Sequence, residues 1–517
     1  MHKSLTDSRN LRSVYQTLLE LIRSSMLKST LICEDLLNSL VSVPNNGTPL
    51  RSTGPRWEGG IVALDVDFVV AGAGGGLAGA IRAAELGAQV VVIEANPHFR
   101  DGNNTAMSTA MIPGAGTRWQ RSDGIDDSPQ QFVDDIIRKT HGTADLGLAR
   151  ALAQVSPTLV TWLADSVGLP IELTTDFAYP GHSALRCHTI PRRSGSWLLR
   201  GLLERTNRLP SLDLMVPARV VDIAGLPEER VVVVEHPDGA HEEITARGVL
   251  LATNGFGGDA KLVRLHIPEM TQARYHGSAE SRGDALRIGS HLGAHTAYLD
   301  AYQGHAALSD PYATLVGWAT VLHGGILINL LGQRFGDETV GYSEFGHLEL
   351  MQPEHAGILI FDRYIHDACL AFDDFRLTAE SGALRWATSP AKLAELFQIS
   401  TERLTATLDA VDAYATGNRV CPFGRTSWPH RLDRSDLVGV RVTAALFHTQ
   451  GGLQVDQCAR VQRTNGTTIP GIYASGGSAS GISGVGAGGY LAGNGLLSAL
   501  GLAYLAGECI ARNLNGH

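Results

Sequence analysis

Cysteine, basic clusters and long apolar runs are the scarce features of this chain, and each scarcity closes off a class of function. The six cysteines, Cys33, Cys187, Cys369, Cys421, Cys458 and Cys509, are scattered over 517 residues with no CxxC pair, no haem-attachment CxxCH and no metal-ligand spacing. No metal site, iron–sulfur cluster or attached haem is therefore expected, and the cysteines read as reduced thiols of a cytoplasmic protein. Lysine and arginine number 42 against 52 aspartates and glutamates, a formal net charge of -10, and no basic run interrupts that balance. A nucleic-acid partner needs a basic face to neutralise phosphates, so none is expected. No stretch reaches 18 uninterrupted apolar residues, so no transmembrane segment is expected either.

Glycine is plentiful instead, 59 residues, and its densest use organises the chain. Residues 64–94 read LDVDFVVAGAGGGLAGAIRAAELGAQVVVIE. An apolar β run (67–71) is followed by a glycine turn (72–76), a stretch with helical spacing (77–86) ended by Gly87, and a second β run (89–93). This is a βαβ dinucleotide-binding unit. Gly72, Gly74, Gly75 and Gly76 are its candidate cofactor residues, because backbone N–H groups at a helix N-terminus approach a pyrophosphate closely only where no Cβ intervenes. Glu94, ending the second strand, is placed to accept ribose hydroxyls. The third glycine falls early, at Gly76, with Leu77 in the sixth position, which reads as a turn one residue short.

A chain of this length predicts two or more domains. Residues 1–60 differ from the rest: an amphipathic, helical segment over 11–40 precedes a polar loop. They carry Asp7, Glu20, Glu34 and Asp35 and lack an apolar core closed by a cleavage site, so they are expected to be an N-terminal extension and not a signal peptide. Residues 102–117, GNNTAMSTAMIPGAGT, form a small, hydroxyl-rich loop able to lie flat along a planar cofactor. Residues 130–210 read as largely helical, broken by a loop at 176–195 that concentrates Tyr179, His182, His188, Arg192 and Arg193 as a pocket rim. From about Tyr298 to about Phe447 a mixed αβ insertion interrupts the glycine–strand pattern, which then resumes.

These stretches resemble, in order, the motifs of the FAD-dependent fumarate reductase and succinate dehydrogenase flavoprotein superfamily, to which 3-ketosteroid Δ1-dehydrogenase also belongs. The hydroxyl-rich loop is similar to the superfamily's G-G-x-[ST]-x-x-S-x-G loop, with Asn103 at the second glycine, and implies flavin contacts at Asn104, Thr105 and Ser108. GVLLATNGFGGD (248–259) resembles the segment covering the adenosine of FAD and implies Gly255, with Asn254 replacing the first glycine of its pair. IPGIYASGG resembles the flavin segment and implies Gly477. GVGAGGYLAGNGLLSALG resembles the final glycine loop and helix, with Asn494 and Leu496 at a helix N-terminus whose dipole supports negative charge on the reduced flavin. The likeness covers roughly residues 61–510. It implies an α/β fold: a Rossmann-like FAD-binding domain of the GR2 type with an inserted α+β capping and catalytic domain. The expected division is an extension over 1–60, a cap over 301–447, and an FAD-binding domain assembled from 61–300 before the cap and 448–517 after it. No histidine stands where succinate dehydrogenases attach the cofactor, so non-covalent FAD is expected.

The insertion holds GQRFGDETVGY (332–342), which resembles the superfamily's G-x-R-F-x-N-E segment. Eight residues beyond Arg334, fumarate reductases carry a proton-moving arginine and ketosteroid dehydrogenases a tyrosine; here stands Tyr342. A phenol, with an ordinary pKa of about 10, takes a proton only where its surroundings stabilise the phenolate. His305, in YQGHAAL, and His448, in HTQGG, match the histidines that hold a carboxylate in fumarate reductases. The clamping arginine before the final L-x-G-N is replaced by Tyr490, and Gly484 occupies the place of the glycine-loop tyrosine of ketosteroid dehydrogenases. Gly488 N–H would then be the donor to a carbonyl oxygen. The likeness implies an FAD-dependent oxidoreductase acting on a CH–CH bond next to a carbonyl, a ketosteroid-dehydrogenase-like desaturation. Tyr342 would take the α proton while Gly488 N–H and the Tyr490 hydroxyl polarise the carbonyl. A small-molecule carbonyl substrate and an external electron acceptor follow. Two alternatives stay open: a fumarate-reductase-like reductase of a small unsaturated carboxylate with His305 and His448 as ligands, and a non-catalytic flavin-binding protein.

Overall fold

The structure, a computed structural model, describes residues 64–514, so the segment expected within residues 1–60 lies outside the described residues. Strand β1 (Leu64–Ala71) is buried on both faces: Phe68, Val69 and Val70 have no exposed surface. That is the environment of a central parallel strand. β2 (Val90–Ile93) and β3 (His241–Leu251) flank it in parallel, with Val69 opposite Val91 and Val249. Between β1 and β2 runs helix α1 (Gly76–Glu85), one residue earlier than the spacing predicts. Gly76 is itself the first helical residue, which is why the turn is short. The hairpin of Arg219–Leu226 and Glu229–Glu235 adds to β3 and Leu212–Met215 adds to β2, within one sheet of eight strands.

A second sheet, of six strands, follows. Its members include β4 (Tyr302–Ser309), Ile326–Asn329 and Ala356–Asp362. Two helices of this region bear on the site: α2 (Tyr342–Leu350) and α3 (Asp373–Glu380). The spine of the sheet is the 13-residue β5 (Leu437–Thr449), which pairs antiparallel with β4, Ala356–Asp362 and Arg385–Ala387. It also pairs in parallel with Arg274–Tyr275. The sheet thus takes an edge strand from upstream of residue 301, the expected start of the cap. Because β5 runs on past Phe447, His448 and Thr449 are still strand residues, and β4 and β5 bring Gln303 and His448 into register.

The chain returns to the first sheet as β6 (Thr468–Ala474), parallel to β3 through Tyr473 and Leu250. It ends in α4 (Asn494–Leu514), the one helix among the described residues long and apolar enough to cross a membrane by length and composition. It packs inside the fold against α1. The two helices approach backbone to backbone: a Cβ on Gly79 would lie 2.5 Å from Ala503 O, and one on Gly507 would lie 2.4 Å from Gly79 O. Small residues at the crossing let α4 set its N-terminus directly over the glycine turn of β1.

Candidate active site

One continuous cleft runs from the glycine turn, between the two sheets, to the start of α3. At its first end the walls are backbone. Gly72 has φ +113, and a Cβ there would meet Ala252 O at 2.3 Å; a Cβ on Gly75 would meet Ala499 Cβ at 2.6 Å. Gly72, Gly74, Gly75 and Gly76 all line the cleft, as do Glu94, Asn104, Thr105, Ser108, Gly477 and Leu496. Glu94 Oε2 accepts the Ala73 N–H and Oε1 the Asn96 N–H, each at 2.8 Å. Burial holds its carboxyl above the ordinary range against those bonds and the nearby Arg219. Asn104 is engaged with protein on both sides: its Nδ2 donates to Phe447 O at 3.1 Å and its Oδ1 accepts the Ser278 N–H at 2.8 Å. It staples the hydroxyl-rich loop to the second sheet. Ser108 Oγ donates to Thr105 O at 2.7 Å.

Two expected cofactor residues stand apart from the lining. Gly255 packs on β5, where a Cβ would sit 1.8 Å from Thr449 Oγ1, so close packing accounts for that glycine. Asn494, first residue of α4, is fully buried with both side-chain polar atoms unpartnered, and Ser475 Oγ and Ser498 Oγ are buried and unpartnered as well. Ser475 and Ser498 line the cleft beside Gly476 and Gly477. Buried polar atoms are nearly always hydrogen-bonded. A glycine cradle, a helix N-terminus and orphaned polar groups together fit a bound dinucleotide.

The other end is built from side chains. His305 on β4 stacks between Tyr342, at 4.8 Å between ring centres, and Phe447, at 5.1 Å. Tyr490 meets Tyr342 edge to face at 5.8 Å and His448 at 6.1 Å. Four of the six expected catalytic residues therefore share one wall of the cleft, drawn from β4, α2, β5 and the loop before α4. The remaining two do not line it. Arg334 is buried against Glu338 (Nε to Oε1, 2.8 Å), whose other oxygen also meets Arg425 at 3.2 Å. Burial opposes the Glu338 charge, but the two guanidiniums hold its carboxyl below the ordinary range. This knot fixes the turn that ends at Gly341 (φ +138), from which Tyr342 opens α2. Gly488 lies beside Glu344, away from the lining.

The titratable groups of this wall are neutral. Burial lowers His305 to about 3 and His448 to about 4. His305 Nδ1 accepts the Ala307 N–H at 3.1 Å, so the neutral ring carries its proton on Nε2. Burial, followed by the neighbouring Tyr490, pushes the Tyr342 phenol well above its ordinary value. Burial pushes Tyr490 up to about 12, opposed by the nearby Gly495 N–H and Tyr342 hydroxyl. Tyr342 keeps its proton. Among the described residues that line the cleft, Arg219 is the only arginine or lysine. It belongs to the nucleotide end, paired with Glu280 and Asp284.

Of the expected pocket rim, Tyr179 lines the cleft, whereas His182, His188, Arg192 and Arg193 do not. His182 Nε2 instead meets Ala492 O at 3.1 Å, and His188 Nε2 meets Thr117 Oγ1 at 2.9 Å, both inside the wall. Trp318, Phe372, Asp374, Phe375 and Phe447 line the site without a motif of their own. In sequence the four aromatics look like ordinary core and Asp374 like an ordinary helix-opening acid, so nothing marked them as lining.

Residues 67–496 match the family model described as FAD binding domain. The chain is 27% identical over 457 residues to NADH:fumarate oxidoreductase of Klebsiella pneumoniae, covering 87% of this chain and 48% of that one. It is 26% identical over 452 residues to fumarate reductase (cytochrome) of Shewanella frigidimarina, covering 86% and 77%. Against the first of these the chain spans about half the relative's length. Among solved structures, the open conformation of a flavocytochrome c3 fumarate reductase superimposes with a TM-score of 0.72 at 23% identity, covering 87% and 78%. The 3-ketosteroid delta1-dehydrogenase of Sterolibacterium denitrificans, in complex with 1,4-androstadiene-3,17-dione, superimposes with a TM-score of 0.70 at 18% identity, covering 87% and 100%.

Proposed function

The chain belongs to the FAD binding domain family and is an FAD-dependent oxidoreductase, and we propose that it acts on the C–C bond next to a carbonyl of an uncharged, largely apolar substrate. The observation that carries this reading is the charge of the substrate wall. His305 and His448 are neutral, and the one lining arginine is committed to two carboxylates at the far nucleotide end. A dicarboxylate buried there would lack the cationic partners that such charges need, whereas neutral donors suit a carbonyl oxygen. The fumarate-reductase relatives favour the carboxylate alternative by descent; the chemistry of this wall weighs against it.

Bound FAD supplies hydride acceptance, or hydride donation in reverse, at one carbon of that bond. The residues of this chain handle the neighbouring proton and the carbonyl. Tyr342, protonated at neutral pH, would deliver a proton to the α carbon when the bond is saturated and would take it back on desaturation. The resting phenol is ready for the first and needs prior deprotonation for the second. The Tyr490 hydroxyl and the His305 Nε2–H are the neutral donors within the same wall. Arg334 is a positioning residue, holding the turn before Tyr342. Residues 301–447 would form the capping and catalytic unit, and electrons would pass to or from an external partner.

The test is anaerobic. Dithionite-reduced holoenzyme is mixed with neutral cyclic enones or with fumarate, and flavin reoxidation is followed. Reoxidation by enones at rates well above that with fumarate is expected; faster reoxidation by fumarate would sink the reading.

A further inference from the structure

At the substrate end of the cleft an unpartnered carboxyl has no part in the proton and carbonyl chemistry. Asp374, the second residue of α3, lines the cleft together with Phe372, Phe375, Cys369, Leu315 and Val316. Its Oδ2 is sealed from solvent and has no hydrogen-bond partner. The other carboxylates of the lining are all engaged: Glu94 by the N–H groups of Ala73 and Asn96, Glu280 and Asp284 by Arg219. The adjacent Asp373 is also satisfied, by Arg192 and Arg376, and neither guanidinium meets the carboxylate of Asp374. Burial, followed by Asp373, lifts the Asp374 carboxyl to about 7, as befits an acid in an apolar wall without a donor.

An unpartnered carboxyl among phenylalanines is unfavourable unless a donor reaches it; Oδ2 is sealed, and because the half-buried residue lines the cleft, Oδ1 is the oxygen that a donor in the cleft can reach. We propose that this end of the cleft is a recognition subsite in which Asp374 accepts a hydrogen bond from a hydroxyl carried by the substrate at the end remote from the reacting bond. The inference rests on the carbonyl reading above and narrows it. The substrate would be a hydroxylated ketone or enone whose apolar body lies along Trp318, Val316 and Phe372 while its two polar ends meet Tyr490 and Asp374. A site built to bond a hydroxyl rejects the analogue lacking it far more strongly than an apolar pocket rejects a missing methylene, so Asp374 would determine specificity and not rate.

The test uses cyclohex-2-enones bearing alkyl chains of graded length, each ending in a hydroxyl or in a methyl. Equilibrium binding to the oxidised holoenzyme is read from the flavin absorbance change. At one chain length the hydroxyl compound should bind at least about tenfold tighter than its methyl partner. In Asp374→Leu that preference should vanish while flavin content and melting temperature hold. If Asp374→Leu loses its flavin, Asp374→Asn takes its place, and the preference should fall below about threefold, since a neutral amide is the weaker acceptor. Absence of a hydroxyl preference at every length, or one that the Asp374 variant retains, overturns the subsite. The same enones are also offered to reduced holoenzyme. Turnover without hydroxyl preference removes the subsite alone, whereas no turnover with any of them removes the carbonyl reading itself.

Discussion

The two ends of the cleft are made of different materials. At the nucleotide end the working surface is backbone: Gly72, Gly74, Gly75 and Gly76 and the first turn of α4, brought together because α1 and α4 cross on Gly79 and Gly507. At the substrate end it is side chains, with His305, Trp318, Tyr342, Asp374, His448 and Tyr490 arriving from segments spread over nearly 190 positions of sequence. A backbone surface is specified by what is missing from the residues, a side-chain surface by what is present. The first tolerates almost no substitution. The second can be retuned one residue at a time, so one fold can carry substrate walls of different charge.

The largest effect is expected where that intolerance is greatest. Gly72→Ala puts a Cβ 2.3 Å from Ala252 O at a φ of +113, so both strain and collision oppose it. Flavin absorbance per mole of purified protein should fall essentially to zero. Gly87→Ala is the control: φ is +99 but a Cβ there meets nothing within 4 Å, and flavin should be retained with only a small loss of stability. Retention of flavin in both variants would mean that the cradle is not where the cofactor binds.

At the other end the corresponding change is smaller and leaves the cofactor in place. Tyr342→Phe keeps the ring between His305 and Tyr490 and removes one oxygen, so unfolding free energy should move by less than about 1.5 kcal/mol. Proton transfer should slow on the order of a hundredfold or more in either direction. The wild-type pH profile tests the same group. Because the phenol is raised well above 10, it is protonated through the neutral range. Desaturation, which needs the phenolate, should therefore speed up as pH rises, by up to about tenfold per unit below the phenol's pKa, while saturation stays flat. A desaturation rate independent of pH up to 10 would remove Tyr342 as the base.

The same division decided what the sequence could disclose. The βαβ unit was legible because strand, glycine turn, helix and acid are contiguous, and the later motifs because each is a short string with its own spacing. Gly255 and Asn104 fit their strings, yet Gly255 packs against Thr449 outside the lining and Asn104, within it, also staples its loop to the second sheet, since a motif records that a glycine or amide is required without recording what it touches. Arg334 likewise reads as a catalytic neighbour of Tyr342, but spacing alone cannot tell an arginine that lines a cleft from one that knots the turn beneath it. Asp374 gave no signal at all. An acidic pair opening a helix is the ordinary pattern of a solvated N-terminus, and only the packing of Phe372 and Phe375 turns it inward.

Acid should separate the two ends by sign. His305 is lowered to about 3, and His182 and His188, inside the wall, to about 4, each mainly by burial. Their folded values lie below the unfolded value near 6.5, so the stability they contribute is complete above 6.5 and is lost as pH falls toward the folded values. At pH 5 each would have given up on the order of 2 kcal/mol. Glu94, at the cradle, is raised by burial, so its contribution is complete at low pH and is lost as pH rises through its folded value. Unfolding midpoints measured from pH 7 to pH 5 should fall in the wild type and fall less in His305→Phe. A midpoint that rises on acidification would show that the histidines are not buried neutral.

The smallest effect is the one that most directly sets this wall apart from a carboxylate clamp. His305→Phe retains the stack between Tyr342 and Phe447 and deletes two groups, the Nε2–H that is the ring's donor toward the cleft and the Nδ1 that accepts the Ala307 N–H, so the substrate itself loses one donor. If the substrate is a neutral carbonyl compound, the loss is one neutral hydrogen bond, worth about 0.5–1.5 kcal/mol net, so KM should rise roughly two- to twelvefold with kcat little changed. If His305 were instead a charged anchor for a buried carboxylate, the deletion would leave that charge unpaired, and hydrogen bonds to charged groups are worth about twice as much. Binding would then weaken by up to about two orders of magnitude. The imidazole is held near 3 by burial, so at neutral pH it has no charge to offer such a carboxylate. The modest rise in KM is therefore the expected result, and a much larger one, confined to anionic substrates, would reverse the assignment of this wall.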